Sequence, residues 1–240
     1  MSKQEISNRE KMCFSVLNSL GSTKYVLVGG YAVSSFDFPR FSVDLDIVIP
    51  KSELAIITSI LEKMGFSRTE ELSGFDRVYS GSFERHKMSS KFPIAIDFLI
   101  NSITSRQTGF SYSFDYLLKN SEIREIRGWG QGLKSTNRVP NREMLLALKI
   151  NSMRTSDKRD VIALCYDLPD IDRISMHLKN CNRTVILSNI NGLLGMLESN
   201  HHKDSIKGVF TLPEKSLNHM VNNCKLVLER ISDILNANGK

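Results

Sequence analysis

The sequence predicts an α/β (α+β) fold: a mixed β-sheet core with flanking helices, followed by a C-terminal helical domain. Three observations carry that prediction. The runs Tyr25–Val28 and Pro93–Ile100 are apolar and of strand length. Between them, residues 43–49 put Val43, Leu45, Ile47 and Ile49 on one strand face and Asp44 and Asp46 on the other. Past Pro140 the apolar spacing lengthens, and Leu217, Val221, Cys224, Leu228, Ile231 and Leu235 recur as on one side of a helix. This change of period predicts two domains, 1–139 and 140–240.

The elements follow in order. Ile6, Met12, Cys13, Val16, Leu17 and Leu20 mark an amphipathic helix over 5–20, stopped by Gly21. A strand over 25–28 meets the Gly29–Gly30 turn, a short helix runs to about Phe36, and the strand 43–49 follows. Ser52 is the expected cap of a helix over 53–64, with Gly65 at its end. The segment 66–91 mixes Gly, Ser and charge with short alternating stretches such as R-V-Y-S, which predicts strands and a loop. After the strand 93–100 come a helix near 112–119 and strands near 122–126 and 131–135. Asn141 caps the first helix past Pro140, a second opens at Ser156 or Asp157 and reaches about Tyr166, and the last covers 213–236. The 217–235 stripe reads first as the core of a helical bundle.

Bulk properties narrow the classes. A chain of 240 residues, 41% hydrophobic and 24% charged, has the composition of a globular protein with a sizeable core. No apolar run nears the roughly 18 residues that span a bilayer, and the first residues carry no signal-peptide core, so a cytoplasmic protein with no membrane segment is expected. Cys13, Cys165, Cys181 and Cys224 form no C-x-x-C pair, which predicts separate thiols in a reducing compartment. The pair His201–His202 reads as a solvated loop. The net charge of +6 suits a face for nucleotide or RNA, and equally an ordinary soluble surface.

The chemistry concentrates in few residues. Gly29 and Gly30 lie between a strand and a helix, where backbone N–H groups without a Cβ in the way approach phosphate closely; a plain tight turn uses the same pair. Arg40 and Ser42 precede the Asp pair, where a guanidinium and a hydroxyl reach phosphate or brace the strand end. Asp44 and Asp46 on one face repel each other unless a cation intervenes, a geometry suited to divalent metal. Asp97 stands in an otherwise apolar strand, where an unpartnered carboxylate costs several kcal/mol. If that strand lies beside 43–49, three carboxylates converge, enough for two metals; pairing with an Arg is the alternative. Lys149 interrupts M-L-L-A-L-K-I and needs an anionic partner or a route to solvent. Lys158, Arg159 and Asp160 open the next helix, where Asp160 suits the helix dipole as well as a site.

This pattern resembles the DNA polymerase β-like nucleotidyltransferase superfamily: a Gly-Gly turn, Asp-x-Asp on a strand, and a third carboxylate on a later strand. The stretches G-G-Y-A-V and R-F-S-V-D-L-D, with N-R-E-M-L-L-A-L-K-I and D-K-R-D-V-I-A-L, are similar to the toxin-type nucleotidyltransferases of abortive-infection systems. The resemblance covers about 25–167. It departs at Ser42, where Thr is commoner, and at Lys158-Arg159-Asp160, which offers two cations before the Asp.

The resemblance implies a catalytic domain over 1–139 that transfers a nucleoside monophosphate from an NTP to an acceptor hydroxyl. It assigns two Mg²⁺ ions to Asp44 and Asp46, with Asp97 completing the one nearer the acceptor. Phosphate falls to Gly29, Gly30 and Ser42, with Arg40, Lys158 and Asp160 as further nucleotide-binding candidates, and leaving-group charge to Lys149. An RNA acceptor such as tRNA and an antitoxin partner protein follow from the toxin-type likeness. Two other readings stand beside it: a small-molecule, antibiotic-type transferase, and a silent relative that binds nucleotide or a partner.

Overall fold

Each strand needs cover for its apolar face, and here the cover comes from the sheet's own neighbours and two helices. The structure, a computed structural model, describes residues 3–21, 23–36, 42, 44–88, 94–128, 132–198 and 213–237. Contacts divide the chain into two compact units, the first made of Met1–Ser35, Pro39–Thr104 and Ser111–Pro140, the second of Phe36–Phe38, Ser105–Phe110 and Asn141–Lys240.

In the first unit, helix Lys3–Leu20 (α1) leads to strand Val26–Val28 (β1), which passes directly into the short helix Gly29–Val33 (α2). Strand Asp44–Ile49 (β2) follows, then a 3₁₀ turn at Lys51–Glu53 and helix Leu54–Lys63 (α3). Strands Phe66–Asp76 (β3), Gly81–Met88 (β4) and Ile94–Ile100 (β5) complete a five-stranded sheet of order β1-β2-β5-β4-β3. The β2–β5 pair is parallel and the others antiparallel, so the sheet is mixed. Its register sets Leu45, Ile47 and Ile49 opposite Ile96, Phe98 and Ile100. All six are buried, together with Cys13, Phe14, Val16 and Leu17 of α1 and Ile57 and Leu61 of α3. Two small hairpins follow: Ser102–Thr104 (β6) with Ser111–Ser113 (β7), and, after helix Phe114–Lys119 (α4), Ser121–Arg127 (β8) with Lys134–Pro140 (β9).

Several expectations shift. Ser52 caps nothing: Pro50 holds the chain extended and its carbonyl accepts from the Glu53 N–H at 3.0 Å, so the helix starts one residue later than expected, at Leu54, after a 3₁₀ turn. Gly65 does end that helix, with φ of +87°. R-V-Y-S is not strand but the turn of one long hairpin, because Asp76 Oδ1 accepts the N–H groups of Val78 and Tyr79 at 3.0 and 3.3 Å. Its other oxygen accepts from the Ser102 hydroxyl. The final strand lies further along than expected and ends on Pro140, a position that asks for no N–H.

The second unit is helical: Arg142–Ser152 (α5), Thr155–Leu164 (α6), Ile171–Leu178 (α7), Arg183–Leu197 (α8) and Glu214–Ala237 (α9). Asn141 caps α5, its side chain accepting from the Met144 N–H at 2.9 Å. Helix α6 opens before Ser156, because Asp157 reaches back to the Arg154 N–H at 3.0 Å. The stripe from Leu217 to Leu235 is buried, and α9 packs against α6, α7 and α8, as a bundle core does. No helix among the described residues is long and apolar enough to cross a membrane.

Candidate active site

Parallel pairing of β2 with β5 decides where the carboxylates go. Asp46 stands opposite Asp97, and Asp44 opposite Ala95. Residues in register share a face, so Asp44, Asp46 and Asp97 lie on one side of the sheet while the aliphatic set fills the other. Asp44 and Asp46 are half-buried, and Asp97 is only 6% exposed. Burial first, and then the charge of Asp97, raises the Asp44 pKa above the ordinary carboxylate value, offset in part by Arg85, Arg9 and Lys87.

The Gly pair is built around Asp46. Gly29 has φ of +68°, in the left-handed region, and a Cβ there would sit 2.0 Å from Asp46 Oδ2. Glycine is required twice over, by backbone conformation and by the carboxylate that lies against it. Gly30 is buried in α2, and its carbonyl accepts from the Ser34 hydroxyl at 3.1 Å. Ser42 braces the start of β2, its hydroxyl donating to the Asp44 carbonyl at 3.3 Å. Arg40 lies outside the described residues.

Asp97 has a partner that the sequence did not reveal. Arg85 of β4 faces it in register and donates from Nε and Nη2 to its two oxygens, each at 2.7 Å. The same guanidinium reaches Glu70 of β3 at 3.2 Å and stacks over Phe83, 5.5 Å from the ring centroid. The hydrogen bonds that Arg85 donates to Asp97 push its own pKa further up. The three carboxylates therefore converge, but the third is not open: a planar fork that matches a carboxylate already holds it. Among the described residues, no group of three or more His, Cys, Asp or Glu side chains is arranged to hold a metal ion. The signal for Arg85 is the alternation of Phe83, Arg85 and Lys87 in β4, which places two cations on the Asp face.

In the second unit Lys149 finds its anionic partners within the protein. Its ammonium lies 2.8 Å from both Asp157 Oδ1 and Asp160 Oδ2, and all three residues are buried. Asp157 also accepts from the Ser152 hydroxyl at 2.6 Å and from Arg154 Nε at 2.9 Å. The partner expected to be phosphate is here a pair of carboxylates joining α5 to α6. Lys158, on α6, is half-buried.

No family model matches the sequence, and no curated protein does so either. Among solved structures, the chain is similar to a candidate nucleotidyltransferase from H. pylori, with a TM-score of 0.52 and 18% identity over 99% of this chain and 98% of that one. JHP933 from Helicobacter pylori gives 0.45 and 16% over 100% and 96%. The CdnE cyclic dinucleotide synthase of Elizabethkingia meningoseptica with GTP and Apcpp gives 0.29 and 11% over 98% and 99%. The first likeness shows the fold, a nucleotidyltransferase-like mixed sheet with flanking helices; the other two superpose too loosely to carry an argument.

Proposed function

We propose that the chain is a nucleotidyltransferase that moves a nucleoside monophosphate from an NTP to an acceptor hydroxyl on RNA, in the manner of a toxin. One observation carries the reading: Asp44, Asp46 and Asp97 share a sheet face, and Gly29 is shaped around Asp46. In this reading the acceptor oxygen bonds to the α-phosphorus, the bond to the bridging oxygen breaks, and pyrophosphate leaves. The hydroxyl proton passes to a carboxylate oxygen of the same face. Most of the rate enhancement would come from positioning and charge neutralisation.

Mg²⁺ takes oxygen ligands in octahedral geometry, commonly one or two carboxylates with substrate phosphates and water. Asp44 and Asp46 fit that requirement; Asp97, held at both oxygens by Arg85, does not fit as an open ligand. A bound Mg²⁺ would neutralise phosphate charge and orient the triphosphate. The Gly29–Gly30 backbone would lie against phosphate, and Ser42 would hold the strand end that presents Asp44. Catalysis belongs to residues 1–139 on this view, and acceptor choice to 168–240. Lys149 and Asp160 enter as supports of the helical part rather than as nucleotide-site residues, given the buried triad, while Lys158, half-buried and outside it, keeps its expected nucleotide-binding role.

The test is transfer of label from each α-labelled NTP, with Mg²⁺, into total RNA, a protein extract or an aminoglycoside panel. Label in small RNA is expected. Label only in small molecules would replace RNA by an antibiotic-type acceptor. Binding of Mg-NTP without any transfer would leave a silent nucleotide-binding module.

A further inference from the structure

One row of side chains crosses four strands on the acidic face: Asp46 of β2, Asp97 of β5, Arg85 of β4 and Glu70 of β3. The cation in that row stands beside the carboxylate that a two-ion site would need. We propose that Arg85 is a positioning residue that takes the place of a second cation, so that the acidic face binds one divalent ion, through Asp44 and Asp46. This rests on the nucleotidyltransferase reading above.

Both oxygens of Asp97 are taken by a planar fork at 2.7 Å, and its side chain is 9% exposed. An incoming ion would have to break two charge-assisted hydrogen bonds in a poorly hydrated place. The guanidinium cannot swing off freely, because Glu70 holds it from the far side and Phe83 packs on its face. Nor is Arg85 merely a buried strut: its side chain is 31% exposed and its charge reaches Asp44. Lysine would not serve in place of Arg85, since a point charge cannot engage both oxygens in the same plane.

Mn²⁺ is the probe, counted per full-length chain by the loss of its free paramagnetic resonance signal and by calorimetry, with and without a non-reactive NTP analogue. The wild type should bind one ion. Asp46→Asn should weaken it at least tenfold, whereas Asp97→Asn should change its affinity less than threefold. Arg85→Gln should admit a second ion, Arg85→Lys should admit it more weakly, and Glu70→Gln should leave the count at one. Circular dichroism and a thermal melt accompany each variant, and if Arg85→Gln does not fold, the wild-type count and Asp97→Asn decide. Two ions per wild-type chain, or a tenfold loss in Asp97→Asn, would overturn this inference and leave the transferase reading standing. No Mn²⁺ bound even with the analogue would overturn both.

Discussion

Gly29 and Asp46 are the pair whose chemistry can least be exchanged. An alanine at 29 adds the cost of a left-handed L-residue, about 1–2 kcal/mol, and drives its methyl into Asp46 Oδ2. Gly29→Ala should therefore lower the unfolding midpoint in denaturant and weaken Mn²⁺ binding together; a variant unchanged in both would show that the turn tolerates any residue. Asp44 gives a prediction with a sign. Its folded-state pKa lies above the ordinary value, so ionising it costs the folded state, and that cost appears as pH rises from about 4 through the raised value. Asp44→Asn removes the cost. Its melting temperature should equal the wild type's near pH 4 and exceed it increasingly toward neutrality, with the gap closing when Mg²⁺ is added, while transfer is abolished. A less stable Asp44→Asn at neutral pH would make the carboxylate structural. The Asp residues were legible because charge inside an apolar alternation is anomalous. Arg85 was much less so, because it sits in the charged run Glu84-Arg85-His86-Lys87, where one cation does not stand out and only the alternation with Phe83 and Lys87 marks its face.

The join between α5 and α6 is a buried ion triad, and its members protect one another. Burial alone would lower the Lys149 pKa, but Asp160 and Asp157 outweigh it and the net direction is up. Burial alone would raise Asp157, but the charge of Lys149 and the hydrogen bond from Arg154 hold it well below the usual carboxylate range. The contribution of Lys149 is thus whole below its unfolded value of about 10.4 and lost only above the raised one. That of Asp157 is whole above about 4 and lost only as pH falls through its depressed value. Lys149→Met should cost roughly 3–5 kcal/mol, since it leaves two buried carboxylates unpaired. Urea unfolding should show part of that loss recovered at acid pH, where the orphaned carboxylates take up protons. A variant of wild-type stability with weaker NTP binding would return Lys149 to the phosphate. Sequence pattern located both helices, yet it read Lys149 as reaching for a ligand, because Asp157 and Asp160 lie in the next helix and pairing across a turn leaves no periodic trace. The β3–β4 hairpin blurred for another reason: its register shifts twice, between Arg68 and Glu70 and between Leu72 and Asp76, which breaks the alternation that marks a strand.

At the scale of the molecule, the charge of +6 bears on the acceptor. If RNA is the partner, its binding constant should fall steeply with salt as phosphate contacts release counterions. Filter binding between about 50 and 200 mM salt checks this, and a flat response would count against a polyanionic acceptor. The meeting of β2 with β5 entered the sequence reading only as a condition, while the fold class was legible from apolar runs and alternation. Whether Asp97 would be open or paired was not, because pairing depends on which strand lies on its other side, and strand order is a long-range property that local pattern does not encode.

That strand order also sets a sequence of events. The β3–β4 hairpin is local and closes on a microsecond scale, whereas bringing Asp46 beside Asp97 closes a loop of about fifty residues and is slower. On that order Arg85 would be in place beside β3 before the acidic strands meet. Without it, β2 and β5 would have to come together with like charges opposed at Asp46 and Asp97 and no guanidinium on the far side of Asp97 to offset them. Removing the guanidinium should slow refolding more than it speeds unfolding, making Arg85 part of the folding nucleus as well as of the finished face.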